Sequence, residues 1–157
     1  MVNSKIDIKI QLDEILDNYR YLNYFDQIRF DFDLGVCNIV SDPFLLKIAL
    51  NNLISNAIKY QRKHNYQEGY IKLKTRPMGD GVQITISDNG EGIDPEFQPQ
   101  VFEMFFRGTN NEPGSGLGLY IAKTAIIRLQ GTIDFTSVYN EGSTFSIRIP
   151  DQKILST

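Results

Sequence analysis

What the chain has little of narrows it first. There is one cysteine, Cys37, among 157 residues, so an internal disulfide framework is excluded and a thiolate zinc site cannot form from this chain alone. There is one histidine, His64, which excludes a multi-histidine metal centre and any mechanism needing two imidazoles from this chain. No apolar run approaches the ~20 residues of a membrane-spanning helix. The opening Met-Val-Asn-Ser-Lys-Ile-Asp-Ile-Lys-Ile has the pattern of neither a signal nor a transit peptide. Lys and Arg number 16 against 19 Asp and Glu, a net charge of −3, too balanced to pull the chain as a whole toward nucleic acid or anionic lipid. The expectation is a soluble chain suited to a reducing compartment. It starts abruptly in structured-looking sequence, as a piece of something longer would.

What is present reads as one globular domain. Hydrophobic residues make 41% and charged residues 22%, and a chain of this length buries roughly 70% of its unfolded surface. Lys5–Ile10 alternates Ile6, Ile8 and Ile10 and predicts a strand, followed by helical spacing over Leu12–Leu22. Ile28–Leu34 alternates again. Ser41-Asp42-Pro43 is a helix start, with Asp42 to cap and Pro43 at the first helical position, and this helix is expected to run to Tyr60 or Gln61. Tyr70–Thr75 and Val82–Ser87 read as a hairpin turned at Gly79-Asp80-Gly81. After a glycine-rich loop over Asp88–Asp94 and a short helical segment from Asp94, Arg107–Ser115 reads as a mobile loop. A helix follows over Gly116–Leu129, stopped by Gly131. Strands Ile133–Val138 and Thr144–Ile149 close the chain. Without regular strand–helix alternation, the pattern predicts an α+β sandwich: a mixed, mostly antiparallel sheet with helices on one face.

Three segments carry candidate chemistry. On the helix after Asp42, at about 100° per residue, Asn52 and Asn56 lie within about 40° of one another, beside the stripe of Leu46, Leu50, Leu53 and Ala57. Two amides on a half-buried edge are costly unless satisfied. Either they brace a neighbouring loop, or they face a polar ligand. An asparagine oxygen suits Mg²⁺, and Lys59 adds positive charge one turn on, so such a ligand would be a phosphate–metal complex. Asp88-Asn-Gly-Glu-Gly follows a strand; its glycines permit close approach of a flat ligand, and the Asp88 carboxylate can accept from an amino group. An ordinary turn with Asp88 as a local cap is the alternative. Gly114-Ser-Gly-Leu-Gly-Leu opens a helix and offers backbone N–H groups to an anion, or else packs that helix tightly on a neighbour. The P-loop pattern does not occur, and the glycine spacing is not that of the dinucleotide fold.

In this order the elements resemble the ATP-binding catalytic domain of sensor histidine kinases, part of a wider ATPase group with DNA gyrase, heat-shock chaperones and mismatch-repair ATPases. The likeness spans roughly Asp42–Pro150. Asn52-Leu-Ile-Ser-Asn-Ala-Ile-Lys-Tyr resembles the family's asparagine box and Asp88-Asn-Gly-Glu-Gly-Ile its first glycine box. Phe102-Glu-Met-Phe-Phe-Arg resembles its phenylalanine box, Gly114-Ser-Gly-Leu-Gly-Leu its second glycine box, and Gly142-Ser-Thr-Phe its final Gly-Thr box. The resemblance implies a two-layer sandwich of the Bergerat type, with residues 1–157 as a single domain.

Carried over, it implies that Asp88 accepts from the adenine amino group with Thr144 in support. It places Asn56 on Mg²⁺, Asn52 near phosphates and metal, Lys59 on the phosphates and Tyr60 on the nucleoside. Gly90, Gly92 and Ile93 shape the base site, while Arg107 and the amides around Gly114, Gly116, Leu117 and Gly118 handle phosphate. Arg107–Gly114 would be a short lid over ATP, with Phe102, Phe105 and Phe106 either core residues or its hinge. Asn52, Lys59 and Arg107 are thus the candidate catalytic residues.

The chain offers no acceptor: His64 lacks the His-Glu-x-x-x-Pro setting and reads as a surface histidine, while Cys37 reads as a buried small hydrophobe. The resemblance implies partners accordingly. The phosphoacceptor histidine lies on a dimerisation domain, absent here, that would precede residue 1; a response regulator is reached indirectly. Neither nucleic acid nor direct membrane contact is implied, and the location is cytoplasmic, with a parent anchored in the inner membrane. Two other readings share the pocket: a hydrolytic ATPase of the same group, and an anti-sigma-type protein-serine kinase or nucleotide-sensing module. The first would need a glutamate where Asn52 stands, and an amide is no general base at neutral pH.

Overall fold

The computed structural model describes residues 1–61, 68–104 and 117–152. Its centre is a five-stranded sheet in the order β2-β4-β5-β7-β6, built from β2 (Ile28–Leu34), β4 (Gly69–Met78), β5 (Gly81–Asp88), β6 (Thr132–Val138) and β7 (Gly142–Pro150). The β2–β4 pair is parallel; the other three pairs are antiparallel. A two-stranded sheet of β1 (Ser4–Asp7) and β3 (Asn38–Ser41) lies apart from it. The helices are α1 (Ile8–Asp17), α2 (Pro43–Lys59) and α3 (Gly118–Arg128).

Strand alternation fixes which face the helices cover. Ile71 and Leu73 on β4, Val82, Ile84 and Ile86 on β5, and Phe145, Ile147 and Ile149 on β7 are all buried. Between them Lys72, Lys74, Gln83, Thr85, Ser87, Thr144 and Ser146 point to the other, polar face. The core is completed by Ile8, Leu12 and Ile15 of α1, Leu46, Leu50, Leu53 and Ile54 of α2, and Ala122, Ala125 and Ile126 of α3. This is the expected mixed sheet with helices packed on one face.

Helix α2 starts as the sequence predicts: the Asp42 carboxylate accepts from the Leu45 N–H at 3.0 Å. It also accepts from the Val2 N–H at 2.9 Å. Burial opposes ionisation of Asp42, but these N–H donors and that of Phe44 outweigh it and hold its carboxyl below the usual range.

Several expectations need correction. The first strand ends at Asp7, whose carboxylate caps α1 by accepting from the Ile10 N–H at 3.1 Å. Ile8 fits both periods, two residues after Ile6 and four before Leu12; burial of Ile8, Leu12 and Ile15 decides for the helix and leaves Ile10 exposed. That helix stops at Asp17 rather than Leu22. Strand β3 was not expected at all; only its pairing with β1 defines it. At the end of α3 it is Gln130, not Gly131, that turns left-handed, with φ 62°. The Gln130 N–H bonds to Ile127 O at 2.9 Å and the Gly131 N–H to Ile126 O at 2.9 Å, a pair of bonds that closes the helix without a left-handed glycine. Cys37 is exposed, not buried, because it sits in the turn between β2 and β3.

Candidate functional site

The first half of α2 buries Leu45 and Ala49 on the same edge that later carries Asn52 and Asn56. That edge therefore changes from core to half-buried polar surface along one helix. The Asn52 amide nitrogen donates to the Ile48 carbonyl oxygen at 2.8 Å. This bond orients the amide, so Oδ1 faces the start of α3, where a Cβ added to Gly118 would lie 3.5 Å from it. Asn56 is half-buried, and its side chain has no hydrogen-bond partner among the described residues. Lys59, at the end of the helix, holds its ammonium 5.4 Å from the centre of the Tyr60 ring.

Across from α2, Asp88 ends β5 on the covered face of the sheet and is 9% exposed. Burial pushes its carboxyl up to about 6, against the N–H groups of Gly90 and Ser143, which favour the charged form. The Gly90 N–H donates to Asp88 Oδ1 at 2.8 Å. A carboxylate kept at such cost and only lightly hydrogen-bonded is poised to accept from a bound donor.

The loop after Asp88 is held on both sides. The Glu91 N–H bonds to the Tyr60 carbonyl at 2.9 Å, which stitches the loop to the end of α2. Any Cβ on Gly90 would collide with that same carbonyl, and Gly92 has φ +68° with its Cβ position blocked by the Val138 carbonyl. These are the close approaches that only glycine permits. Asn89 anchors the loop to β4: its Oδ1 accepts from the Tyr70 N–H at 2.8 Å and its Nδ2 donates to the Glu68 carbonyl at 2.9 Å. The Ile93 N–H donates to Ser137 Oγ at 2.7 Å.

The start of α3 has no side-chain cap, since Leu117 occupies the cap position. Its first-turn N–H groups beside Asn52 suit an anion. Phe102 packs edge-on against Phe135 and Phe145, with ring centres 5.7 and 6.3 Å apart, so it is a partly buried residue packed against the core.

Thus Asn52 and Gly118 come together, as do Tyr60 with Gly90, and Asp88 with its glycine loop. Thr144 does not join them. It pairs with Ser87 on the opposite face of the sheet, Oγ1 to Oγ 3.0 Å. The residue on Asp88's side is Ser143, paired in register with Asp88. Strand alternation could have found it, because Phe145, Ile147 and Ile149 face inward and Ser143 shares their parity. Arg107, Gly114 and Gly116, the lid over Arg107–Gly114, Phe105, Phe106 and His64 lie outside the described residues.

Comparison with known proteins decides the family. Residues 41–153 match the family described as histidine kinase-, DNA gyrase B-, and HSP90-like ATPase. The chain belongs to this family. It is 40% identical over 116 residues to the sensor-like histidine kinase SenX3 of Mycobacterium tuberculosis, covering 71% of this chain and 27% of that protein. It is 32% identical over 126 residues to the sensor protein BceS of Bacillus subtilis, covering 78% and 36%. The chain therefore spans about a third of the length of these relatives. In structure it is similar to a mycobacterial sensor histidine kinase, MprB, with TM-score 0.80 and 26% identity over 96% of this chain and 99% of that one. It is also similar to the nucleotide-free catalytic domain of the histidine kinase ThkA, with TM-score 0.79 and 25% identity over 96% and 97%. Among the described residues no helix is long and apolar enough to cross a membrane.

The donor set suits magnesium held mainly by phosphate and water. No group of three or more His, Cys, Asp or Glu converges among the described residues, so the chain builds no carboxylate cage there. The Asn56 amide supplies one neutral hard oxygen, the kind of single protein ligand Mg²⁺ accepts while it keeps phosphate and water oxygens.

Proposed function

We propose that this chain is the ATP-binding catalytic domain of a two-component sensor histidine kinase, which binds Mg-ATP and passes the γ-phosphoryl group to a histidine on a separate dimerisation domain. The observation that carries the reading is the buried Asp88 carboxylate. The fold holds it at the mouth of a glycine loop although burial penalises its charge. A ligand amino group would repay that penalty.

In this reading Asp88 accepts from the adenine amino group, and Gly90, Gly92 and Ile93 leave room for the base. Tyr60 contacts the nucleoside. Lys59, Leu117, Gly118 and the N-terminus of α3 hold phosphate oxygens, together with Arg107, Gly114 and Gly116. Asn56 would hold Mg²⁺, with Asn52 beside it; the metal would neutralise charge on the phosphates. Phosphoryl transfer asks mainly for such positioning and charge neutralisation. The imidazole nitrogen of the acceptor attacks phosphorus and ADP leaves, so activity depends on the partner domain. A response regulator would take the phosphoryl group afterwards. The parent would act in the cytoplasm, whether or not it is anchored in the inner membrane.

Hydrolysis is the reading this geometry disfavours. The Asn52 amide is no base, and its nitrogen is tied to the helix backbone. The test is phosphotransfer with radiolabelled ATP. Mixed with the parent's phosphoacceptor domain, the chain should label that domain's histidine. Alone, it should release almost no phosphate. Brisk steady-state hydrolysis without labelling would overturn the assignment in favour of an ATPase.

A further inference from the structure

Three polar side chains form a row across the sheet beside the glycine loop. Asp88 pairs with Ser143, and Ser143 pairs with Ser137 on β6, all in register on the covered face. Ser143 is 7% exposed. No motif drew attention to Ser137, yet its hydroxyl makes three contacts. It accepts from the Ile93 N–H at 2.7 Å, lies 3.2 Å from the Gly142 carbonyl oxygen and lies 2.9 Å from Ser143 Oγ.

Valence limits the last contact to two arrangements, because the single Ser137 proton goes either to the Gly142 carbonyl or to Ser143 Oγ. A serine hydroxyl has one proton and two acceptor sites. The Ile93 N–H only donates, so it uses one acceptor site of Ser137. The Gly142 carbonyl only accepts, and with the Ser137 proton on it one acceptor site of Ser137 remains, which the Ser143 proton fills. Ser143 then has only lone pairs left for anything bound beside Asp88.

We propose that Ser137 is a specificity-determining positioning residue: it locks the Ser143 hydroxyl as an acceptor next to the Asp88 carboxylate, so the base site selects a purine 6-amino group over a 6-oxo group. The inference rests on the nucleotide reading above and extends it. With both groups accepting, a 6-oxo purine would set its oxygen against lone pairs and offer the two acceptors only its ring N1–H in place of the two N–H donors of a 6-amino group. Without the Ser137 hydroxyl, Ser143 is free to turn and donate.

Ser137 also holds the Ile93 N–H, so removing its hydroxyl loosens the glycine loop. That loss weakens all purine nucleotides alike; only their ratio reports the lock. The experiment is calorimetric titration of the chain with Mg-ATP and with Mg-inosine triphosphate, which differs in carrying a 6-oxo group. The wild type should prefer ATP. Ser137→Ala should compress the ATP-to-inosine-triphosphate affinity ratio about five- to tenfold, and Ser137→Thr, which keeps a hydroxyl, should restore it. Ser143→Ala leaves the Ile93 contact intact and should compress the ratio as well. If Ser137→Ala weakens both nucleotides equally, or Ser143→Ala leaves the ratio unchanged, the proposal is overturned while the nucleotide reading stands. A wild type that binds neither nucleotide overturns both.

Discussion

Asp88 and Ser143 face one another across the β5–β7 ladder, and the Ser143 N–H donates to the Asp88 carboxylate. Thr144, the next residue, turns to the far face and meets Ser87. The two hydroxyls therefore differ in consequence. Ser143→Ala should weaken Mg-ATP binding about fivefold, as for loss of one hydrogen bond. Thr144→Ala should leave it within twofold, by the same titration. The opposite ranking would mean that Thr144 serves the base site.

The raised Asp88 carboxyl makes stability depend on pH in a defined direction. Its folded value, about 6, lies above the ordinary carboxylate value of 3.8, so the folded chain binds the extra proton between these limits. This group's contribution to stability thus falls as pH rises from about 4 to about 6, by up to about 3 kcal/mol. Asp42, held low, acts in the opposite sense. Comparing wild type with Asp88→Asn isolates the contribution of this carboxyl. Denaturant unfolding should show the variant gaining relative stability between pH 4 and pH 7; a constant difference would contradict the burial argument.

The same proton should govern base selection. Ionised Asp88 only accepts, whereas its protonated form can donate to a 6-oxo group. The ratio of ATP to inosine triphosphate affinity, in which phosphate titration cancels, is expected to fall severalfold from pH 7.5 to pH 5. A flat ratio across that range would place the carboxylate away from the base.

Gly90 has no room for a side chain, because the Tyr60 carbonyl occupies the Cβ direction. Gly90→Ala must push the loop from the end of α2 and break the Glu91–Tyr60 bond. Nucleotide affinity should drop at least tenfold, with a stability loss of about 1–3 kcal/mol. Gly79→Ala provides the control, since its Cβ would meet nothing within 4 Å although its φ is +57°. It should cost about 1 kcal/mol and leave binding intact.

Much of the fold was legible in the sequence because its signals were local. Ile28–Leu34 alternates without competition, and it is β2 residue for residue. Asp42 and Pro43 start α2 through a cap and a fixed φ, both short-range effects. Where two periods shared a residue, as at Ile8, only tertiary burial could choose. Strand β3 has four residues and exists through its partner, so no window of sequence holds its signal. At the site, Asn52, Asp88 and the glycines were visible as residue types in unusual places. Ser137 was not, because its role comes from three contacts in three different segments. The resemblance to the Gly-Thr box implies Thr144 as the supporting hydroxyl; counting parity along β7 points to Ser143.

The most direct measurement is calorimetric titration of the isolated chain with ATP, with and without Mg²⁺, in wild type, Asp88→Asn and Asn56→Ala. The account predicts saturable one-to-one binding in the wild type, about a hundredfold loss in Asp88→Asn and loss of the Mg²⁺ enhancement in Asn56→Ala. Undiminished affinity in Asp88→Asn, or binding indifferent to Mg²⁺ in the wild type, would contradict it.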